Sequence, residues 1–321
     1  MAEETRIEQL DRAIETLLAR GDSFPPAPDA EVAALLRMAA DLRDLPAAGF
    51  KARLKSDLER KAAMITTTAT AVRKDVQTVT PYLVVERLEE FLAFLQALGA
   101  EEVLRAPGSA GGTHVELRLD DSTLMAGSRP GAPGSPIDLH LYVPDADTVY
   151  QRALAAGATS FYEPMDQPYG DREGGVRDGH GNTWYIATHK ATGHRPEGMR
   201  TVTPTLHARG VDSLLDFMKR GLGGEEEICH RSPEGTVLHA SVRLGDSYVE
   251  VGEARGPIEP TAAMLLLAVP DVDAAYERAL AAGGISLEPP ADQRYGARRA
   301  GVKDPHGNAW YFSAPIARPT E

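Results

Sequence analysis

The sequence predicts an α+β protein: two tandem domains, each built of two strand-helix-strands modules, preceded by a helical segment. Three observations carry this. The chain repeats itself: residues 166–185 read DQPYGDREGGVRDGHGNTWY and residues 292–311 read DQRYGARRAGVKDPHGNAWY, identical at 13 of 20 positions with an offset of 126. The repeat extends upstream, where VPDADTVYQRALAAGA (143–158) matches VPDVDAAYERALAAGG (269–284) and RLDDS (118–122) matches RLGDS (243–247). A period this long marks a duplicated domain rather than a solenoid, whose units run to about 20–50 residues. Within each copy a strand pattern leads into a helix pattern and then strands, and the order restarts. Finally, the strands alternate apolar and polar residues, the mark of a sheet with one covered face.

Residues 1–65 form the helical segment. Ile7, Leu10, Ile14 and Leu17 follow helical spacing, and FPPAP (24–28) ends that run. Asp29 is placed to cap a second helix, with Val32, Leu35, Leu36, Ala39 and Leu42 as its stripe; Phe50, Leu54 and Leu58 form a third. Residues 66–76, opening with TTTATA, read as a linker. The first copy spans 77–190 and the second 200–316. Each opens with a short β run (TVTPYLVV or TVTPTLHA), then a helix (87–100 or 211–223), then a hairpin (113–127 or 237–252). The turns Asp120-Asp121 and Gly245-Asp246 suit a two-residue connection. A strand (IDLHLYV or AMLLLAV), a helix and further strands ending in NTWYIATH or NAWYFSAP complete each copy.

Bulk composition bounds the function. The net charge of −13 disfavours nucleic acid and anionic membranes as partners. No apolar run approaches the roughly 20 residues of a membrane span, and the charged start MAEETRIEQLDR lacks a signal-peptide core, so cytoplasmic residence is expected. The single Cys229 can form neither an internal disulfide nor a thiolate metal site. Phosphate-cradling, dinucleotide and nucleophile-elbow motifs are absent from the sequence.

The double strand-helix-strands layout resembles the vicinal oxygen chelate superfamily, which groups glyoxalases, bleomycin-resistance proteins and dioxygenases, and within it the PhnB-like branch. The residues that carry the likeness are TPYLVV (80–85), HVELRLDDSTLM (114–125) and 156–189 in copy one, with LHASVRLGDSYVEV (238–251) and 282–311 in copy two. The resemblance implies a ligand cavity on a concave sheet. It also implies, in metal-dependent members, four ligands on the first strand, the second hairpin strand, the strand opening the second module and the last strand. Those positions fall at Thr80, Met125, Asp138 and Tyr185 in copy one, and at Thr203, Glu250, Met264 and Tyr311 in copy two. One oxygen ligand per copy is too few for a divalent site, so no metal or other cofactor is expected. His207 shares a face with Thr203 but lies about 13 Å along the strand from the expected place.

Alternation identifies what the cavity would carry instead. Val115, Leu117, Leu119 and Leu124 should lie under the helices, as should Ile137, Leu139, Leu141 and Val143. That turns His114, Glu116, Arg118, Asp138, His140, Tyr142, Tyr82 and Tyr185 toward one surface of copy one. The same positions in copy two hold His239, Ser241, Arg243, Tyr248 and Glu250 beside Met264, Leu266, Ala268 and Tyr311, giving a greasier cavity. His140 is the catalytic candidate, with Asp138 or Glu116 to orient it. Tyr82, His114, Arg118, Tyr142, Tyr185, His239, Arg243, Tyr248, Glu250 and Tyr311 are the ligand-binding candidates. Arg118 and Arg243 could instead pair with Glu116 and Glu250, His180 and His306 read as turn residues, and Arg172 and Arg298 as loop pins.

The first reading is metal-independent binding of a small aromatic or hydrophobic molecule, of the bleomycin-resistance kind. The alternative is a glyoxalase-type lyase or isomerase using His140, with or without a divalent metal; a third class places a regulatory or interaction function in residues 1–64. The chain would be a monomer with pseudo-dimeric domains, or a homodimer.

Overall fold

The computed structural model describes residues 77–316 except 109–110, 130, 132–133, 192 and 261, so the helices and linker expected over 1–76 lie outside the described residues. Copy one holds two modules. The first is β1 (Val79–Val84), α1 (Leu88–Leu98), β2 (Glu101–Pro107), β3 (Thr113–Leu119) and β4 (Ser122–Ser128); the second is β5 (Asp138–Tyr142), α2 (Ala146–Ala155), β6 (Thr159–Asp166), β7 (Asp171–Arg177) and β8 (Thr183–His189). Copy two repeats this with β9 (Val202–Ala208), α3 (Val211–Leu222), β10 (Glu225–Arg231), β11 (Val237–Leu244) and β12 (Ser247–Glu253). Its last module is β13 (Met264–Ala268), α4 (Val272–Ala281), β14 (Ile285–Asp292), β15 (Ala297–Lys303) and β16 (Ala309–Pro315).

The two eight-stranded sheets do not follow the two copies. One runs β14-β15-β16-β13-β1-β4-β3-β2, the other β10-β11-β12-β9-β5-β8-β7-β6. Each sheet joins a module of copy one to a module of copy two through an antiparallel central pair: β1 on β13, with Thr80 opposite Leu266, and β5 on β9, with Asp138 opposite Thr205. This corrects the expectation that each copy encloses its own cavity. The free edge of a module's first strand is satisfied equally well by any module of the repeat, so periodicity cannot say which one it meets.

Within modules the sequence reading holds. Glu116 pairs with Met125 and Arg118 with Thr123, and in copy two Ser241 pairs with Glu250 and Arg243 with Tyr248. Ile137, Leu139 and Leu141 are fully buried, joining Phe91, Leu95, Leu117, Leu124 and Trp184 in the core beneath the helices. α2 and α4 start where Asp145 and Asp271 accept the backbone N–H of Thr148 and Ala274, the N-cap contact that satisfies an orphan helix donor.

Two repeated motifs turn out to be structural devices. In D-x-H-G-N-x-W the buried Asp178 accepts the backbone N–H groups of His180 and Asn182, the Asn182 amide and the Trp184 indole N–H; Asp304 does the same for His306, Asn308 and Trp310. His180 and His306 are turn residues, as expected. In the hairpin turns, Ser122 Oγ accepts the N–H of Val202 on β9 at 2.8 Å, and Ser247 Oγ accepts the N–H of Val79 on β1 at 3.1 Å. The first and third modules, which lie in different sheets, therefore cap each other's opening strand reciprocally. Gly245 sits at φ 59° in this contact, and a Cβ there would come within 2.4 Å of Thr78 Oγ1.

Candidate functional site

Each sheet turns one face to the helices and one away. The outward face of the β5–β9 sheet, face two, is closed by its own side chains. Its centre is His140, whose Nε2 lies 2.9 Å from Glu173 Oε2 and whose Nδ1 contacts Glu250 closely, with Thr205 Oγ1 at 3.1 Å. The His140 side chain is 14% exposed, Glu173 4% and Glu250 3%. Burial alone would strip the proton from such an imidazole, but the charge of Glu250 and then the hydrogen bond to Glu173 overcome it and hold His140 protonated well above the usual histidine range. Burial would raise both carboxylates; the imidazolium instead holds Glu250 and Glu173 below the usual carboxylate range.

A shell of donors completes the network. Tyr162 and Tyr169 donate to Glu173, the first closely and the second at 3.1 Å. Tyr142 donates to Glu250 at 3.4 Å, and its ring stacks on His140 at 5.6 Å. Burial raises the pKa of Tyr142, Tyr162, Tyr169 and Tyr185, and the neighbouring carboxylates raise them further, so these hydroxyls stay protonated donors. His207 Nδ1 meets Asp138 at 2.8 Å, and His189 Nδ1 meets Asp171 at 2.5 Å. His239 Nε2 stands 3.6 Å from Glu250 at the edge of the cluster.

Face one, on the β1–β13 sheet, is open. Met125, Met264, Leu266, Tyr82 and Tyr311 all remain partly exposed, while the alternate residues Leu83, Leu124, Leu265 and Leu267 are sealed. Copy one supplies a wall in which the His114 and Tyr82 rings stack at 5.5 Å and His114 Nδ1 meets the Tyr82 hydroxyl at 3.1 Å. Copy two supplies the opposite wall, where Arg299 lies 4.2 Å over the Tyr311 ring. Both tyrosines lie flat on glycine: a Cβ on Gly127 would reach 2.4 Å from the Tyr82 hydroxyl, and one on Gly301 would reach 2.6 Å from the Tyr311 ring.

The candidate residues from the sequence thus divide between faces. Tyr82, His114, Glu116 and Tyr311 lie on face one; Asp138, His140, Tyr142, Tyr185, His239 and Glu250 lie on face two. Glu116 cannot orient His140, because the two are on different sheets; it stands 3.7 Å from His114 instead. Asp138 is engaged by His207, which is brought to it by the β5–β9 pairing rather than stranded along its own strand. Arg118 pairs with Glu101 rather than Glu116, and Arg243 with Glu225 and Glu227 rather than Glu250, because both reach outward to the neighbouring edge strand. Tyr248 donates to Glu227 beside it. Arg172 and Arg298 are loop pins as expected, bridging Asp147 to Asp166 and Asp273 to Asp292.

Sequence reasoning missed Glu173 and Arg299. A signal was present: they occupy the same repeat position, in REGG and RRAG, and are the one reversal of charge between the two 20-residue blocks.

The family's metal finds no fit here. On face one the four positions are Thr80, Met125, Met264 and Tyr311, without an imidazole or carboxylate. Face two gathers Asp138 and Glu250, but His207 and His140 already bond them, and Glu173 and Glu250 approach opposite ring nitrogens of His140, so one ion could not take the place of both contacts. Among the described residues no group of three His, Cys, Asp or Glu is disposed to hold a metal. A groove of about 750 Å³ lies on neither face; it runs along 193–200 with Asp121 and Asp246, where Arg195 and Arg200 tie the inter-copy linker to the hairpin turns.

Comparison with known proteins follows the same outline. The sequence profile described as "Glyoxalase/Bleomycin resistance protein/Dioxygenase superfamily" matches residues 76–186 and 204–312. An uncharacterized protein of Mycobacterium tuberculosis strain H37Rv is 38% identical over 122 residues, covering 34% of this chain and 72% of that one. One from Mycobacterium bovis is equally similar, with 80% of its length covered. Glyoxalase I from Zea mays superposes with a TM-score of 0.59 at 14% identity, over 73% of this chain and 90% of that one, a likeness of fold.

Proposed function

The chain belongs to the Glyoxalase/Bleomycin resistance protein/Dioxygenase superfamily, and we propose that it binds a small, flat, largely apolar molecule on face one without a metal. The observation that carries this is the contrast between the faces. At corresponding strand positions face two is sealed by an internally hydrogen-bonded network, whereas face one leaves Met125, Met264 and Leu266 partly exposed between two aromatic walls. An apolar floor with a few convergent polar groups is the usual character of a small-molecule site. The pairs Tyr82–His114 and Tyr311–Arg299 stand on opposite sides of that floor and supply ring faces and hydroxyls.

A lyase or isomerase centred on His140 is less well supported, because both ring nitrogens are taken and the ring has no free position from which to exchange a proton with substrate. The test is saturation-transfer NMR with 1-naphthylacetamide as probe. Binding by the full chain, lost in a folded Leu266→Glu variant and kept in a folded His140→Gln variant, supports the reading. Binding that survives Leu266→Glu sinks it.

A further inference from the structure

We infer that face one recognises a carboxylate on its ligand and that Arg299 is the cation that reads it. This rests on the small-molecule reading above and narrows it to a ligand class: a flat apolar body carrying one carboxylate.

Arg299 occupies the repeat position of Glu173, and the surroundings have changed with it: Asp138, His140 and Glu250 on face two correspond to Met264, Leu266 and Met125 on face one. Face two therefore answers every charge with a bonded partner. Face one carries a cation where face two carries an acid, and its close company is looser: the Tyr295 hydroxyl and Glu288 act on the guanidinium, but no carboxylate bonds its Nε. The nearest carboxylate to the Arg299 Nε is Glu288, at 3.7 Å, beyond hydrogen-bond length. That Nε is buried with no hydrogen-bond partner, a state that costs free energy unless something is meant to fill it.

Position and orientation agree. The guanidinium stacks on Tyr311, which lies flat on Gly301, so one of its faces is fixed by the protein. Its charge reaches the other wall: burial raises the pKa of the Tyr82 hydroxyl, and Arg299 is what opposes that rise. A ligand between Tyr82 and Tyr311 would thus lie in the field of Arg299 with Met264 and Leu266 beneath it. A planar guanidinium held on an aromatic ring offers paired N–H donors in the geometry a carboxylate accepts. The other acid on this face, Glu116, is on the opposite wall beside His114, so a bound carboxylate is directed to the Arg299 end.

The experiment compares 1-naphthylacetate with 1-naphthylacetamide, which share one ring system and differ in charge, on the full chain. The acetate should bind about 10-fold more tightly than the amide, the size of one charge-assisted contact in a half-exposed site. Arg299→Gln should erase that ratio, bringing the acetate and amide affinities to within about two-fold of each other. In the wild-type protein, the Arg299 Nε–H resonance should move with the acetate and stay with the amide, a readout that does not depend on the variant folding. Equal binding of the two probes, or a ratio that survives Arg299→Gln, overturns the carboxylate assignment alone. Failure of both probes to bind overturns the small-molecule reading beneath it.

Discussion

His140→Gln should remove one specific feature of the protein's stability, its decline on the alkaline side. The imidazolium sits between Glu173 and Glu250, whose side chains are only 4% and 3% exposed. Replacing it with a neutral amide leaves two buried carboxylates without their counter-ion, and breaking a buried pair in this way costs about 3–5 kcal/mol. For a body of this size that lowers Tm by about 6–20 °C near neutral pH. The pH dependence is the sharper test. The folded protein holds the His140 proton more tightly than the unfolded chain, so the stabilisation is fully present below the unfolded histidine pKa. It is lost as pH rises through the folded value, at up to about 1.4 kcal/mol per pH unit. Glu173 and Glu250 are shifted the opposite way, so their contribution is present above the ordinary carboxylate pKa and fades as pH falls through their lowered folded values. Thermal unfolding followed from pH 5 to 9.5 should therefore show wild type losing stability above about pH 6.5 and His140→Gln lying lower but flatter. Parallel curves with the same alkaline slope would refute the assignment of a charged, bridging His140.

Ser122→Ala and Ser247→Ala each remove the acceptor for a backbone N–H that opens a central strand; chemical denaturation should show losses of about 1–3 kcal/mol each, summing in the double variant because the sites are separate. Gly301→Ala places a methyl within 2.6 Å of the Tyr311 ring, so it should displace that ring and weaken probe binding on face one; calorimetry with 1-naphthylacetate reads this, and unchanged affinity would remove Tyr311 from the site. Arg118→Ala and Arg243→Ala cut solvent-exposed ion pairs to edge-strand glutamates and, for Arg243, one long contact to the Gly245 carbonyl, so Tm should fall by no more than a few degrees and probe affinity should not change measurably.

How much of this was legible in the sequence depended on the range of the interaction. The hairpin registers, Glu116 on Met125 and Ser241 on Glu250, follow from a two-residue turn and a period of two, both local. The burial of Ile137, Leu139 and Leu141 follows from the same alternation. The partners of Arg118 and Arg243 were missed because the edge strands β2 and β10 carry no clear period: Glu101, Glu102, Glu225, Glu226 and Glu227 read as solvated charge until the strand is placed beside the hairpin. The composition of each face was out of reach for a different reason. The four modules share one pattern, and the energy that selects β13 for β1 and β9 for β5 lies in packing between elements about 180 and about 60 residues apart in the chain, not in any one segment.

Placing Tyr82, His114 and Glu116 with His140, Tyr142 and Tyr185 on one surface is wrong for this chain, yet it describes what two separate molecules of copy one would build. The third module repeats the first and the fourth repeats the second, so the fused chain pairs first with fourth and second with third as a homodimer would pair first with second across its axis. Residues 77–190 alone would expose the edges of both β1 and β5, each otherwise covered along an antiparallel central pair, and exposed edges of apolar strands associate. We expect that fragment to run as a dimer in size-exclusion chromatography with multi-angle scattering. Each of its two faces would then be identical, placing Met125 rather than Glu250 against His140 and leaving Glu173 bonded to it. Such a dimer should lack the stabilisation that Glu250 provides above the ordinary carboxylate pKa, and His140 should titrate lower than in the full chain by NMR. A folded monomer would show that one copy closes on itself, and a His140 titration unchanged from the full chain would show that Glu250 is not what holds its proton. Fusion into one chain is what permits the two faces to differ, one closed by its own hydrogen-bonded charges and the other left with a cation over an apolar floor.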